Sequence, residues 1–163
     1  MYFAPSQSAR SFTLKEKEFV LDTLNDKRAW HGPRWASVTE STKSAWTISL
    51  ETDAFIRQVT QEDSKASLEG LSVTFMGPRV TWFSFENWTS VPRPVQQEYS
   101  RKQYRVYVLL HECGHALGLD HFSKSELDRL TIRKAPVMLQ QTRGLQGFTS
   151  NVWPTDYEQA LLK

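Results

Sequence analysis

The chain has 163 residues, 39% of them hydrophobic and 12% aromatic, enough to build one folded domain with a real core and too apolar for a disordered segment. Its formal net charge of +2 argues for neither a nucleic-acid nor an anionic-membrane partner, and no stretch reaches the ~18 apolar residues needed to span a bilayer. The length predicts a single domain over residues 1–163, expected to be a monomer, and a single cysteine with an N-terminus lacking a basic start and apolar run predicts a reducing, intracellular or cytosolic compartment.

The charge is unevenly placed: residues 101–163 hold 9 basic and 6 acidic side chains, with Arg101, Lys102, Arg105, Arg129, Arg133 and Lys134 supplying most of the excess. Solvated helix faces account for this more readily than an anion-binding patch. In chain order, Thr13-x-x-Glu16 reads as a capping box, and Leu14, Val20, Leu21 and Leu24 recur at helical spacing, which predicts a helix over 13–27. His31-Gly32-Pro33 is a turn, and its histidine is better read as a turn residue than as a metal ligand. Trp35–Val38 and Trp46–Leu50 alternate as strands do, a short helix or turn is expected over 52–59, and Gln61–Ser67 reads as an exposed loop.

Leu71, Val73 and Phe75 alternate before Gly77-Pro78, and Val80, Trp82, Phe83 and Phe85 follow it, the pattern of an antiparallel hairpin. Pro92 and Pro94 mark an irregular crossing into a helix over 97–118, with Val106, Leu110, Cys113 and Leu117 as its buried stripe. Cys113 is then core filler, and His111 and His115 face a cleft on the opposite side. A short helix is expected over Ser125–Ile132, and Thr155-x-x-Glu158 caps a last one that docks through Tyr157, Leu161 and Leu162.

The segment His111-Glu112-Cys113-Gly114-His115-Ala116-Leu117-Gly118-Leu119-Asp120-His121 carries the chemistry. Two histidines four residues apart project from one helical face, within reach of one ion. Gly118 stands where the helix must stop, since glycine adopts the left-handed conformation without steric cost. The turn returns His121 to the same ion. Three imidazoles leave one tetrahedral position open, as in catalytic zinc sites, and Glu112 follows the first ligand where its carboxylate can act as general base. Asp120 fits two roles equally, orienting a ligand imidazole or ending the helix.

This motif resembles that of the metzincin zinc endopeptidases, and His115-Ala-Leu-Gly-Leu-Asp-His121 looks most like the matrixin branch. The resemblance implies one zinc ion on His111, His115 and His121, Glu112 as general base and acid, and Met138, within Ala135-Pro136-Val137-Met138-Leu139-Gln140, as the methionine of a turn that packs beneath the histidine rings. The flanks, Tyr104-Arg105-Val106-Tyr107-Val108 and Ala135 through Gly144-Leu145-Gln146-Gly147 to Asn151-Val152-Trp153-Pro154, are similar to a bacterial metzincin-like group of unassigned function. That group carries a cysteine pair after the third histidine, which this chain lacks. Position 140 is glutamine where some metzincin branches place a tyrosine.

The implied fold is an α+β, zincin-like minimal catalytic domain: a mixed twisted sheet with an antiparallel edge strand, a backing helix, an active-site helix and a C-terminal helix. By the resemblance, the edge strand holds an extended substrate by strand addition, and Leu71–Met76 is the candidate for it. The outer arm of a plain hairpin describes that segment as well. Leu71, Val73, Phe75, Gln140, Arg143 and Leu145 are the expected substrate contacts. The activity that follows is zinc-dependent endopeptidase hydrolysis of polypeptide. A zinc-holding but inactive peptide-binding module, or a zinc hydrolase of a non-peptide amide, are the alternatives.

Overall fold

Thr13 accepts a hydrogen bond from the Glu16 backbone N–H, and the Glu16 carboxylate accepts one from the Thr13 N–H; this reciprocal cap starts helix α1, Leu14–Leu24. The computed structural model in which this is seen describes residues 1–31, 37–63, 72–77 and 79–162. Helix α1 stops short of Lys27 because Asn25 turns its side-chain amide onto the Leu21 and Val38 carbonyls. Val20 and Leu24 carry its buried face, whereas Leu14, expected on that face, is exposed.

Four strands, Tyr2–Phe3 (β1), Thr47–Glu51 (β2), Val73–Phe75 (β3) and Val80–Ser84 (β4), form one mixed sheet in the order β1-β2-β4-β3. β2 runs parallel to both β1 and β4, while β3 pairs antiparallel with β4 and forms an edge. The chain is therefore α+β with a four-stranded mixed sheet, as expected at that level. β1 was not expected, since two residues leave no periodicity to read. Of the expected strand 35–38, Trp35 and Ala36 lie outside the described residues, and Ser37 and Val38 adopt no strand.

Helix α2, Asp53–Asp63, is longer than expected and takes in residues 61–63, assigned above to a loop; the loop's remaining positions 64–67 lie outside the described residues. The hairpin forms, with Thr74 opposite Thr81, although Pro78 of its turn lies outside the described residues. Strand β4 ends one residue early because the Ser84 hydroxyl accepts the Asn87 N–H, turning Phe85 into the first residue of helix α3, Phe85–Thr89.

After a 3₁₀ turn at Arg93–Val95, Ser100 and Gln103 form a second reciprocal cap and start helix α4, Arg101–Ala116, later than position 97. Every residue from Val106 to Gly114 on α4 is buried, His111 and Glu112 included, so the expected single stripe understates how far the helix is enclosed. Ser123 caps a single turn, α5, Lys124–Leu127, shorter than expected. Thr155 and Glu158 cap α6, Asp156–Ala160. Leu161 is exposed rather than docked; Tyr157 is exposed too, although its ring meets Phe122 at 5.9 Å, while Leu162 packs on the core and the fully buried Glu158 does the anchoring. No helix among the described residues is long and apolar enough to cross a membrane.

The core closes around Trp88, whose ring meets Phe12, Phe83 and Phe19 in edge or tilted contacts at 5.4–6.3 Å. Its indole N–H donates to Glu16 Oε1 at 3.0 Å, and Arg105 of α4 lies over the ring and donates to the Trp88 carbonyl. Glu16 also receives both terminal nitrogens of Arg10 at 2.6 and 2.8 Å. One carboxylate thus ties α1, α3 and the N-terminal segment together, with Arg105 at 3.6 Å. Burial pushes the Glu16 pKa up, but the hydrogen bonds from Arg10, Thr13 and Trp88 outweigh it and hold the group at about 2.

A folded-state pKa below the unfolded value of 4.5 means that this contribution is complete above that value and fades as pH falls towards 2. Glu16→Gln is expected to cost about 3 kcal/mol at neutral pH. Urea unfolding of both proteins checks this, and the gap between them should narrow between about pH 5 and pH 2.

Candidate metal centre

Helix α4 ends in a Schellman turn. The Gly118 N–H donates to the His115 carbonyl and the Leu119 N–H to the Gly114 carbonyl, both at 2.9 Å, with Gly118 at φ +96°. The reversal brings His121 back over the end of the helix. Its Nε2 lies 3.0 Å from His111 Nε2 and 3.1 Å from His115 Nε2, and the ligand atoms of all three lie within 4.8 Å of one another. The three histidines expected from the motif are therefore brought together, close enough to hold a metal ion.

Two backbone carbonyls orient the rings. His111 Nδ1 lies 2.7 Å from the Val137 oxygen and His115 Nδ1 lies 2.8 Å from the Leu119 oxygen, so each Nδ1 carries the proton and each Nε2 presents a lone pair. These carbonyls fill the orienting role for which Asp120 was one candidate; Asp120 lines the same cavity and acts on His115 and His121 through its charge alone. Burial lowers the pKa of all three imidazoles, with the neighbouring imidazoles adding to it at His111 and His121, and His121 falls to about 4.

Three neutral imidazoles converge, and a single hydrogen on His121 Nε2 cannot satisfy the lone pairs of both neighbours fully. A cation relieves that crowding. Zinc–nitrogen bonds of ~2.0–2.1 Å in a tetrahedral site place ligand nitrogens about 3.3 Å apart, close to the spacings seen here. The donor set, neutral nitrogen with no thiolate, fits zinc.

Glu112 lines the same cavity as the histidines and is held from the sheet. The Thr74 hydroxyl of β3 donates to Glu112 Oε2 at 2.7 Å. Thr74 lies 2.8 Å from Thr81 Oγ1 on β4, and Thr81 Oγ1 accepts the Trp46 indole N–H at 2.9 Å. With Glu112 as carboxylate, the hydrogens run one way: Trp46 to Thr81, Thr81 to Thr74, Thr74 to Glu112. Burial raises the Glu112 pKa to about 7 against the opposing effect of the Thr74 bond.

Met138 is fully buried, as expected of a supporting residue, and its sulfur sits under Gly114. A Cβ at Gly114 would lie 2.3 Å from that sulfur and 3.0 Å from the Trp30 ring, so only glycine lets the helix approach this closely. Trp30 further donates its indole N–H to the Leu110 carbonyl. The methionine's own backbone is pinned by Glu158, whose carboxylate accepts the Met138 N–H at 2.7 Å. Cys113 is fully buried, and burial drives its thiol pKa well up, in keeping with core filler.

A cavity of about 260 Å³ adjoins the histidines between α4, β3 and the segment after Met138. Of the expected substrate contacts, Val73 and Gln140 line it. Phe75 does not: its ring packs on Trp82 at 4.9 Å, on the sheet face that meets Phe55 of α2. Leu145 packs instead into a small cluster with Leu127, Ala135 and Leu139, and Arg143 is exposed outside the cavity, where its charge helps to depress His121. Leu71 lies outside the described residues. His31 belongs to a different cleft, lined also by Arg28 and Trp153.

Thr74, Tyr104, Tyr107 and Thr142 were missed. Thr74 had a signal: it is the polar residue out of phase with Val73 and Phe75, so period-2 geometry turns it towards the helix. Gln141 was missed as well, and it is structural. Fully buried, it donates from its side chain to the Pro136 and Asn151 carbonyls and bonds with the Tyr99 hydroxyl, while its backbone N–H donates to the Tyr107 hydroxyl. That network fixes the wall of the cavity.

His115→Ala, which removes one of three donors, is expected to abolish stoichiometric zinc uptake while leaving the fold intact. Atomic absorption after dialysis, with circular dichroism alongside, checks it; full zinc occupancy in the variant would remove His115 from the ligand set.

Residues 14–160 match the family model described as "Protein of unknown function (DUF3152)". No curated protein and no solved structure matches the chain. The match covers most of the sequence, so the chain belongs to that family.

Proposed function

We propose that this member of the family is a zinc-dependent endopeptidase of the metzincin type, with His111, His115 and His121 as ligands and Glu112 as general base and acid. The observation that carries the reading is the pairing of three converging, neutral imidazoles with a carboxylate in one cavity. A purely structural metal clip has no use for that carboxylate. The schematic order of the elements supports the same reading: an antiparallel edge strand, β3, beside the helix that bears the first two histidines, and a buried methionine beneath that helix.

A zinc ion held by these histidines would supply Lewis acidity towards a carbonyl and a water. The protein's own groups do the rest. Strand β3, unpaired on its outer side among the described residues, offers backbone hydrogen bonds to an extended polypeptide and lays it across the cavity. Glu112 takes a proton from the attacking water on a carboxylate oxygen, then passes it to the nitrogen of the departing amine, so one residue serves both steps. Thr74 holds Oε2 and so fixes the direction in which the carboxylate faces.

The discriminating experiment incubates zinc-loaded protein and Glu112→Ala with a mixed peptide library and analyses the products by mass spectrometry. Cleavage by the native protein and none by the variant, at equal zinc content, is the expected result. Intact peptides in both would favour a binding module, and turnover of simple amides alone would favour a non-peptide hydrolase. In the same assay Thr74→Val is expected to retain zinc and to lower kcat about tenfold with KM little changed; an unchanged kcat would deny Thr74 its positioning role.

A further inference from the structure

Tyr104 lies on α4 two turns before Glu112 and is 1% exposed, yet its hydroxyl has no hydrogen-bond partner among the described residues. It contributes to the wall of the cavity beside Glu112, together with Val73 of the edge strand and Ser72 just before it. The neighbouring Tyr107 behaves differently, since its hydroxyl is satisfied by the Leu139 carbonyl and the Gln141 N–H. No buried side-chain polar atom among the described residues lacks a partner, so this hydroxyl opens on the cavity, where it can donate to a bound acceptor and where an occupant that covers it without accepting leaves it unsatisfied. Burial, reinforced by the nearby Glu112 and Asp53, raises the Tyr104 pKa, so the group stays an O–H donor.

We infer that Tyr104 is a specificity residue: its hydroxyl donates to a neutral side-chain oxygen of the substrate, selecting asparagine or glutamine at the position whose side chain enters this cavity. This rests on the endopeptidase reading above. The other polar side chains of the cavity agree with an amide occupant. Gln140 and Thr142 line it and make no side-chain hydrogen bond among the described residues, which leaves acceptors for an amide NH₂. A carboxylate side chain is disfavoured because Glu112 shares the cavity. An aliphatic side chain of the same size would bury the hydroxyl with nothing to receive its hydrogen, and sites built to hydrogen-bond a substrate discriminate strongly against analogues that cannot.

Two peptide hydroxamates, identical except for glutamine or leucine in the position next to the zinc-binding group, provide a binding test that needs no turnover. Calorimetry on the zinc-loaded native protein is expected to favour glutamine about tenfold, and Tyr104→Phe should bring the ratio near one by weakening glutamine, strengthening leucine, or both. Equal affinities in the native protein, or a preference that survives in Tyr104→Phe, would overturn the assignment and leave the peptidase reading standing. Failure of both hydroxamates to bind, in a protein that takes up zinc, would overturn the peptidase reading and this assignment with it.

Discussion

Two main-chain oxygens, those of Val137 and Leu119, decide what the motif can do. Each receives the Nδ1 proton of a histidine, and each thereby turns the opposite nitrogen towards a common point. Imidazoles left free to rotate would lose entropy on binding an ion and would compete with water for partners. Held this way they are arranged before the metal arrives. The remaining structure can be understood as the means of placing those two oxygens. Leu119 is set by the Schellman turn at Gly118, which belongs to the motif itself. Val137 is set from a distance, by the loop whose methionine fits under Gly114 and whose backbone is gripped by Glu158 from the C-terminal helix.

Glu112, the proposed general base, is organised separately, from the sheet. Thr74 and Thr81 face each other across the β3–β4 ladder and pass a line of hydrogen bonds from Trp46 to Glu112. The three histidines thus depend on helix and loop, whereas the carboxylate depends on strand register. A slip of one residue in β3 would turn Thr74 outwards and put Val73 or Phe75 against Glu112. The edge strand then has two tasks in this account, to lie beside the substrate with its backbone and to steady the base with its one inward hydroxyl.

Much of this was legible in the sequence, because the decisive features are local. The spacing of His111, Glu112, His115, Gly118 and His121 encodes a helix, its end and the return of the chain, all within one turn's reach. Thr13 and Glu16, like Thr155 and Glu158, announce helix starts by chemistry that involves only neighbours. What stayed hidden depends on contacts far apart in the chain. Nothing near Glu16 shows that it also receives Trp88. Gln141 beside Gln140 gives no hint that one is a buried keystone and the other lines a cavity. Phe75 and Val73 alternate identically in sequence, yet Val73 lines the cavity whereas the Phe75 ring packs on Trp82. Short elements such as β1 and α3 leave too few residues for any period to emerge.

X-ray absorption at the zinc edge, on protein loaded with one equivalent of metal, probes the geometry most directly. The account predicts a four-coordinate spectrum with three imidazole nitrogens and one oxygen at ~2.0–2.1 Å. A spectrum with sulfur in the first shell, or an octahedral all-oxygen environment, would contradict it.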